Sequence, residues 1–149
     1  MTATLLVLNG PNINMLGTRQ PELYGHETLA DVAALCQRRG ETCGLTIDFR
    51  QTNHEGELID WLHQARGKVD GVVLNPGAWT HTSVAIRDAI LASELPVIEV
   101  HISNVHKREA FRHHSYVSDV AVGVICGLGT HGYALAIEHF SQRLEATTR

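Results

Sequence analysis

Five brief apolar runs, set apart by longer amphipathic stretches, restrict what this chain can fold into more than any other feature. Leu5–Leu8, Leu45–Phe49, Val72–Leu74, Val97–Val100 and Val120–Ile125 are rich in Val, Ile and Leu. Several are almost unbroken in apolar character, as strands covered on both faces should be. Between them, Thr28–Arg39, Glu57–Arg66, Thr82–Ala92 and Tyr133–Leu144 repeat apolar residues at three- and four-residue spacing, the period of a helix with one buried face. Helix starts are expected near Glu55 and between Thr80 and Ser83. Stops are expected at Gly40 and Gly67, since a left-handed cap suits glycine.

Strands alternating with helices imply a parallel sheet covered on both faces. Right-handed crossovers make the expected fold α/β: a flavodoxin-like three-layer sandwich with a five-stranded parallel sheet, its first strand central. The 149 residues suit one domain over 1–149. Twelve Lys and Arg against sixteen Asp and Glu leave a net charge of −4, with no basic block to recruit nucleic acid or an anionic membrane. The longest apolar runs, such as Val120–Cys126, are too short to span a bilayer. The opening MTATLLVLNGPN has neither a basic n-region nor a small-residue cleavage site, so no signal peptide is expected and the cytoplasm is the expected compartment. Cys36, Cys43 and Cys126 are odd in number and form no C-x-x-C pair, which points away from a disulfide framework or zinc ribbon.

In such sheets, ligands bind beyond the carboxyl ends of the strands. The segments to search are Asn9–Gly25, Gln51–His54, Asn75–His81, His101–His106 and Cys126–Gly132. The first is long for a strand-to-helix loop and carries Arg19 and Tyr24 among glycines and prolines; it is a closing flap or a plain solvated loop. Asn75-Pro76-Gly77 followed by Thr80-His81-Thr82-Ser83 forms a polar cradle, or merely a capping arrangement with Thr80 or Thr82 as cap. His81 alone reads as a capping or surface residue. Within Val97–Asn104, period-two alternation puts Glu99 and His101 on one face near the strand end. A carboxylate so placed can orient the imidazole and raise its basicity, as a general acid requires; the plainer alternative is an ion pair at the sheet rim. Arg108 and Arg112, four apart, are expected to share a helical face.

Three patterns carry less. Gly127-Leu128-Gly129-Thr130-His131-Gly132 fits G-x-G-x-x-G, but it opens the last helix with no acidic residue about twenty positions on, so it reads as close helix–strand packing rather than a dinucleotide site. Ten histidines show no metal-ligand spacing. Ser103 lies near His101 without the G-x-S-x-G turn of a hydrolase nucleophile.

Taken together, these residues resemble the type II 3-dehydroquinate dehydratase (type II dehydroquinase) family. The stretch from Leu8 through Asn9-Gly10-Pro11-Asn12 and Gly17-Thr18-Arg19-Gln20-Pro21 to Tyr24-Gly25 looks like its signature. Gln51–Gly56, Asn75–Ala78, Thr80–Ser83, Glu99–Asn104, Phe111–Tyr116 and Gly127–Gly129 match further along, in order. Trp79 stands where a tyrosine is common. The resemblance implies anti elimination of water from 3-dehydroquinate to 3-dehydroshikimate through an enolate, without metal, imine or other cofactor. That reaction serves the shikimate pathway, hence chorismate and aromatic amino acid biosynthesis, or quinate catabolism. It assigns Tyr24 as the base, kept ionised by Arg19 with Arg108 in support. Asn12, with Pro11 beside it, stabilises the enolate through an ordered water. His101, oriented by Glu99, protonates the departing hydroxyl. Asn75 and the backbone of Ile102 and Ser103 hold the substrate carboxylate, while His81 and Arg112 hold ring hydroxyls. Asp88 is implied to come from a neighbouring subunit of a homododecamer, a tetramer of trimers.

Elementary electrostatics agrees with the assigned base. A phenol of ordinary pKa about 10 is almost wholly neutral at pH 7, and bringing it near neutrality takes roughly 4 kcal/mol in favour of the anion. Burial alone acts in the opposite direction; guanidinium groups, which never deprotonate, can supply the difference. Two other classes remain open on fold alone. A non-catalytic ligand-binding or assembly module would lack the Tyr24, Arg19 and His101 set. An FMN protein would want a hydroxyl-rich phosphate loop after the first strand, where this chain has Asn9-Gly10-Pro11-Asn12.

Overall fold

A computed structural model of the chain describes residues 2–18, 22 and 26–148. Five parallel strands form one sheet: β1 (Ala3–Asn9), β2 (Leu45–Gln51), β3 (Gly71–Asn75), β4 (Val97–His101) and β5 (Gly123–Cys126). Their order is β2-β1-β3-β4-β5. Strand β1 is therefore interior, flanked by β2 and β3, while β3 holds the middle position. Among the described residues four α-helices cover the sheet: α1 (Leu29–Cys43), α2 (Glu55–Ala65), α3 (Val84–Ser93) and α4 (His131–Thr148). The expected α/β sandwich is the observed one.

Alternation along the strands builds two cores. Leu5, Val7, Val73, Ile98 and Val100 pack with Val32 and Cys36 of α1 and with Tyr133, Ala136, Ile137 and Phe140 of α4. Leu6, Leu8, Val72, Leu74 and Val97 pack on the other face with Leu58 and Leu62 of α2 and Ile86 and Ile90 of α3. The interior strands bury both sets of side chains, which is why their sequence reads as continuous apolar runs.

Helix ends depart from the sequence reading at two places. Thr28 caps α1 in a reciprocal capping box with Asp31, but the helix continues through Gly40 to a left-handed cap at Gly44, φ 71°. Gly40 is a contact residue instead: a Cβ there would lie 2.4 Å from Cγ1 of Ile47. Gly67 adopts φ 72° just beyond α2, as expected of a stop. Ser83, not Thr80 or Thr82, caps α3, accepting the Ile86 N–H at 2.9 Å. The last strand begins three residues later than the apolar run, because Ser118–Val120 turns as a 3-10 helix.

Candidate active site

The chain leaves β1 for β2 on one side and returns, through α2, to β3 on the other. The crevice beyond this switch point is where open α/β sheets bind ligands. Asn9 and Asn75, the last residues of β1 and β3, stand opposite each other there. Beyond them opens a cavity of about 220 Å3. Pro11 and Asn12 line it from the loop after β1, Asn75 from the end of β3, and His81 from the 3-10 turn Gly77–His81. His101, Ile102 and Ser103 enter from the end of β4, and Arg108 and Arg112 from the turns that follow. Ile13, Met15, Leu16 and Val105 supply apolar wall. Of the five segments marked for search, Gln51–His54 and Cys126–Gly132 do not line this cavity. The former supports it from behind: Asn53 Oδ1 accepts the Asn12 N–H at 2.9 Å, and Gln51 Nε2 donates to Gly10 O at 3.1 Å.

The Glu99–His101 alternation becomes a hydrogen bond. His101 Nε2 lies 2.5 Å from Glu99 Oε2, leaving the second ring nitrogen for the cavity. Glu99 is 1% exposed, a costly place for a carboxylate unless its oxygens are filled. They are. Thr80 donates its hydroxyl to Oε2 at 2.6 Å, Ser118 donates to Oε1 at 2.6 Å, and Ser115 reaches both at 3.3 and 3.2 Å. Burial pushes the Glu99 carboxyl upward, but the His101 hydrogen bond and charge with the two hydroxyls outweigh it, and the group is held below its ordinary value. The dyad is therefore built around a fixed anion.

His81 is not a helix cap. Its Nδ1 donates to the His114 carbonyl at 2.8 Å, which leaves Nε2 as an acceptor, and its ring stacks with that of His101, centroids 6.4 Å apart. Burial, with the nearby His101 and Arg112 charges, depresses its pKa against the pull of the His114 bond and the Glu99 charge, and so favours the neutral ring. Arg108 and Arg112 do not share a helical face: they end two successive 3-10 turns, Val105–Lys107 and Ala110–Arg112. The irregular path still brings both to the cavity. Arg108 Nη1 approaches Ser103 Oγ at 3.4 Å, and Arg112 Nε donates to Glu109 Oε2 at 2.5 Å.

Asn12 takes the left-handed conformation, φ 69°, rare outside glycine but tolerated by asparagine. Its backbone is secured by Asn53, and among the described residues its side-chain amide has no hydrogen-bond partner. Asp88 lies exposed on α3 and does not line this chain's own cavity. Tyr24 and Arg19, expected as the base and its cation, lie outside the described residues, as do Gln20, Pro21, Leu23 and Gly25 of the expected flap.

Sequence reasoning missed Thr80 as a Glu99 ligand, Ser118, and the buried pair Asn9 and Tyr133. Their partners are distant in sequence, so no local pattern announces them; Ser115 fell within a matched motif but without a role. Among the described residues no group of three or more His, Cys, Asp or Glu side chains is placed to hold a metal ion, and no helix is long and apolar enough to cross a membrane.

Known proteins are similar to this chain along almost its whole length. The family model described as dehydroquinase class II matches residues 3–141. A 3-dehydroquinate dehydratase 2 of Pseudomonas putida is 70% identical over 145 residues, covering 97% of both chains. A catabolic 3-dehydroquinase 1 of Neosartorya fischeri is 58% identical over 139 residues, covering 93% of both. The crystal structure of a type II dehydroquinase from Propionibacterium acnes superimposes with a TM-score of 0.92 at 46% identity, covering 95% of this chain and 98% of that one.

Proposed function

The chain belongs to the class II dehydroquinase family, and from that premise we propose how its residues divide the work of removing water from 3-dehydroquinate. The protein is a dehydratase: it converts 3-dehydroquinate to 3-dehydroshikimate, in the shikimate pathway or in quinate catabolism. The reaction breaks a ring C–H bond and a C–O bond on opposite faces, forms a C=C bond and releases water.

Tyr24 as phenolate takes the C2 proton, with Arg19 and Arg108 holding it ionised. The electrons pass to the neighbouring carbonyl as an enolate, which Asn12 stabilises through a water. His101 then donates a proton to the departing hydroxyl. The observation that supports this most is the His101–Glu99 pair, a general acid held by a buried anion at the mouth of the switch-point crevice. Asn75 and the backbone of Ile102 and Ser103 receive the substrate carboxylate, and His81 Nε2 and Arg112 receive ring hydroxyls; all of them line one cavity. Pro11 shapes the wall beside Asn12: a Cβ on Gly77 would approach the Pro11 carbonyl oxygen to 3.2 Å.

Residues 1–149 act as one catalytic unit in this reading, in the cytoplasm, and that unit works as a homododecamer, a tetramer of trimers, in which Asp88 serves a neighbouring copy. Val84, Asp88 and Leu91 follow the i, i+4, i+7 spacing of a single helical face, and Val84 and Leu91 are exposed. An acidic residue flanked by bare apolar side chains suits a covered surface. Light scattering tests it: a monomer mass would refute the assembly.

The decisive assay adds 3-dehydroquinate to the purified protein and follows the rise of enone absorbance, alone, with a chelator and with borohydride. Turnover should survive both additions. Loss under chelator would assign the chemistry to a metal, and loss under borohydride to an imine.

A further inference from the structure

The buried hydroxyl of Tyr133 lies behind the carboxylate-binding residue Asn75, on the side away from the cavity. Tyr133, in the first turn of α4, is fully buried. Its hydroxyl donates to Asn9 Oδ1 at 2.7 Å and accepts from Asn75 Nδ2 at 2.8 Å. Both asparagines are strand-terminal partners at the switch point, 0% and 4% exposed.

The ends of this chain of hydrogen bonds have fixed polarity. The Arg50 carbonyl can only accept, so the Asn9 atom 3.0 Å from it is Nδ2. Asn9 therefore turns Oδ1 toward Tyr133, which must donate. Its single proton spent, the Tyr133 oxygen can only accept, so the Asn75 atom facing it is nitrogen. At the far end the Gly77 N–H can only donate, at 3.1 Å, to Asn75 Oδ1. Every link agrees. Turned over, the Asn75 amide would put its own protons against the Gly77 N–H, and would set an oxygen where its nitrogen now stands.

We propose that Tyr133 is a positioning residue for substrate binding: its hydroxyl locks the Asn75 amide in the orientation that offers an N–H, rather than an oxygen, to the substrate carboxylate. The assignment rests on the reading of Asn75 as a contact of that carboxylate. Asn75 Nδ2 spends one proton on Tyr133 and keeps the other for a ligand. An oxygen presented there would repel the anion.

Tyr133→Phe removes the lock and keeps the ring. Steady-state kinetics with 3-dehydroquinate should show KM raised about tenfold, the scale of one hydrogen bond to a charged group. The value of kcat should stay within about threefold and its pH dependence should be unchanged, because ground-state binding and not the chemical step is altered. Asn75→Ala should raise KM in the native background and add less than about threefold in the Tyr133→Phe background, since coupled groups are non-additive. Phe140→Leu, equally buried on the same helix, controls for destabilisation: it should lower the unfolding midpoint and leave KM alone. An unchanged KM for Asn75→Ala in the native background refutes the reading of Asn75. A raised KM there, combined with an unchanged KM for Tyr133→Phe or with additive effects in the double variant, refutes the positioning role alone. A KM rise for Phe140→Leu equal to that for Tyr133→Phe would reduce the tyrosine to a stability residue. Should Tyr133→Phe fail to fold, Asn9→Ser removes the acceptor of the same hydroxyl and carries the same comparison.

Discussion

Removing the Ser118 hydroxyl should cost stability in a way that depends on pH. Of the two oxygens of Glu99, Oε2 has close donors in His101 at 2.5 Å and Thr80 at 2.6 Å. Oε1 has one, Ser118 at 2.6 Å, with Ser115 a distant second at 3.3 Å. Ser118→Ala therefore strips the buried carboxylate of its only close contact on that side, whereas Thr80→Val leaves His101 in place on the other. A hydrogen bond to a charged group contributes about 1.5–3 kcal/mol, and Ser118→Ala should cost that much at neutral pH. Thr80→Val should cost less through Glu99. The sign with pH follows from linkage. Glu99 is held below its ordinary 4.5 in the folded protein, so its contribution is fully present above that value and is lost as pH falls through the folded pKa. Weakening the anion raises the folded pKa toward 4.5, so the deficit of the variant must be largest near pH 7 and shrink in acid. Urea unfolding of both proteins at pH 7 and below pH 4.5 reads this directly. A deficit under about 0.5 kcal/mol at pH 7, or one that does not change with pH, would refute the account of Glu99 as an anion fixed by hydroxyls.

Other perturbations reach different parts of the molecule. His101→Ala should lower turnover by about 10²–10⁴-fold, the span of general acid catalysis, and near-normal turnover would reject the assignment. Arg19→Lys should lower kcat/KM and move the basic-group limb of the pH–rate profile; a profile and rate both unchanged would remove Arg19 from the base's environment. Gly71→Ala places a Cβ 2.6 Å from Cε1 of Phe140, a ring buried in the core. Overpacking of this kind costs about 1–3 kcal/mol, measurable by thermal unfolding with the kinetic constants left near native.

The sheet was legible because interior strands of a parallel sheet show both faces to apolar neighbours, and their sequences cannot hide it. Helix ends were less so. Gly40 looked like a stop because a glycine after an amphipathic run usually is one; its true reason, the approach of Ile47 from β2, is a contact between separate elements. Likewise Val120 belongs by its apolar character to the last strand, yet its segment turns as a 3-10 helix that sets Ser118 against Glu99. At the site, Glu99 and His101 were readable from local alternation alone, because a two-residue period fixes which side chains share a face. The places of Asn75, His81, Asn12 and Arg112 in the cavity came from motif order. The hydroxyl shell of Glu99 and the Asn9–Tyr133–Asn75 chain were invisible, because each joins residues sixteen or more apart and leaves no periodic trace. The arginine spacing misled for a related reason: four residues mean one face only inside an α-helix, and that segment is a pair of tight turns.

Strand β4 alternates Val97, Glu99 and His101 toward α2 and α3 with Ile98 and Val100 toward α1 and α4. A single-residue slip in its pairing with β3 would exchange the two sets, driving a carboxylate into greasy surroundings without donors and setting apolar side chains among the hydroxyls that now serve Glu99. The Glu99–His101 pair, given the role proposed for it, thus ties correct strand pairing to activity. A chain that paired wrongly at this strand would be both inactive and unstable, so no long-lived population of well-folded but dead molecules should accumulate through that error.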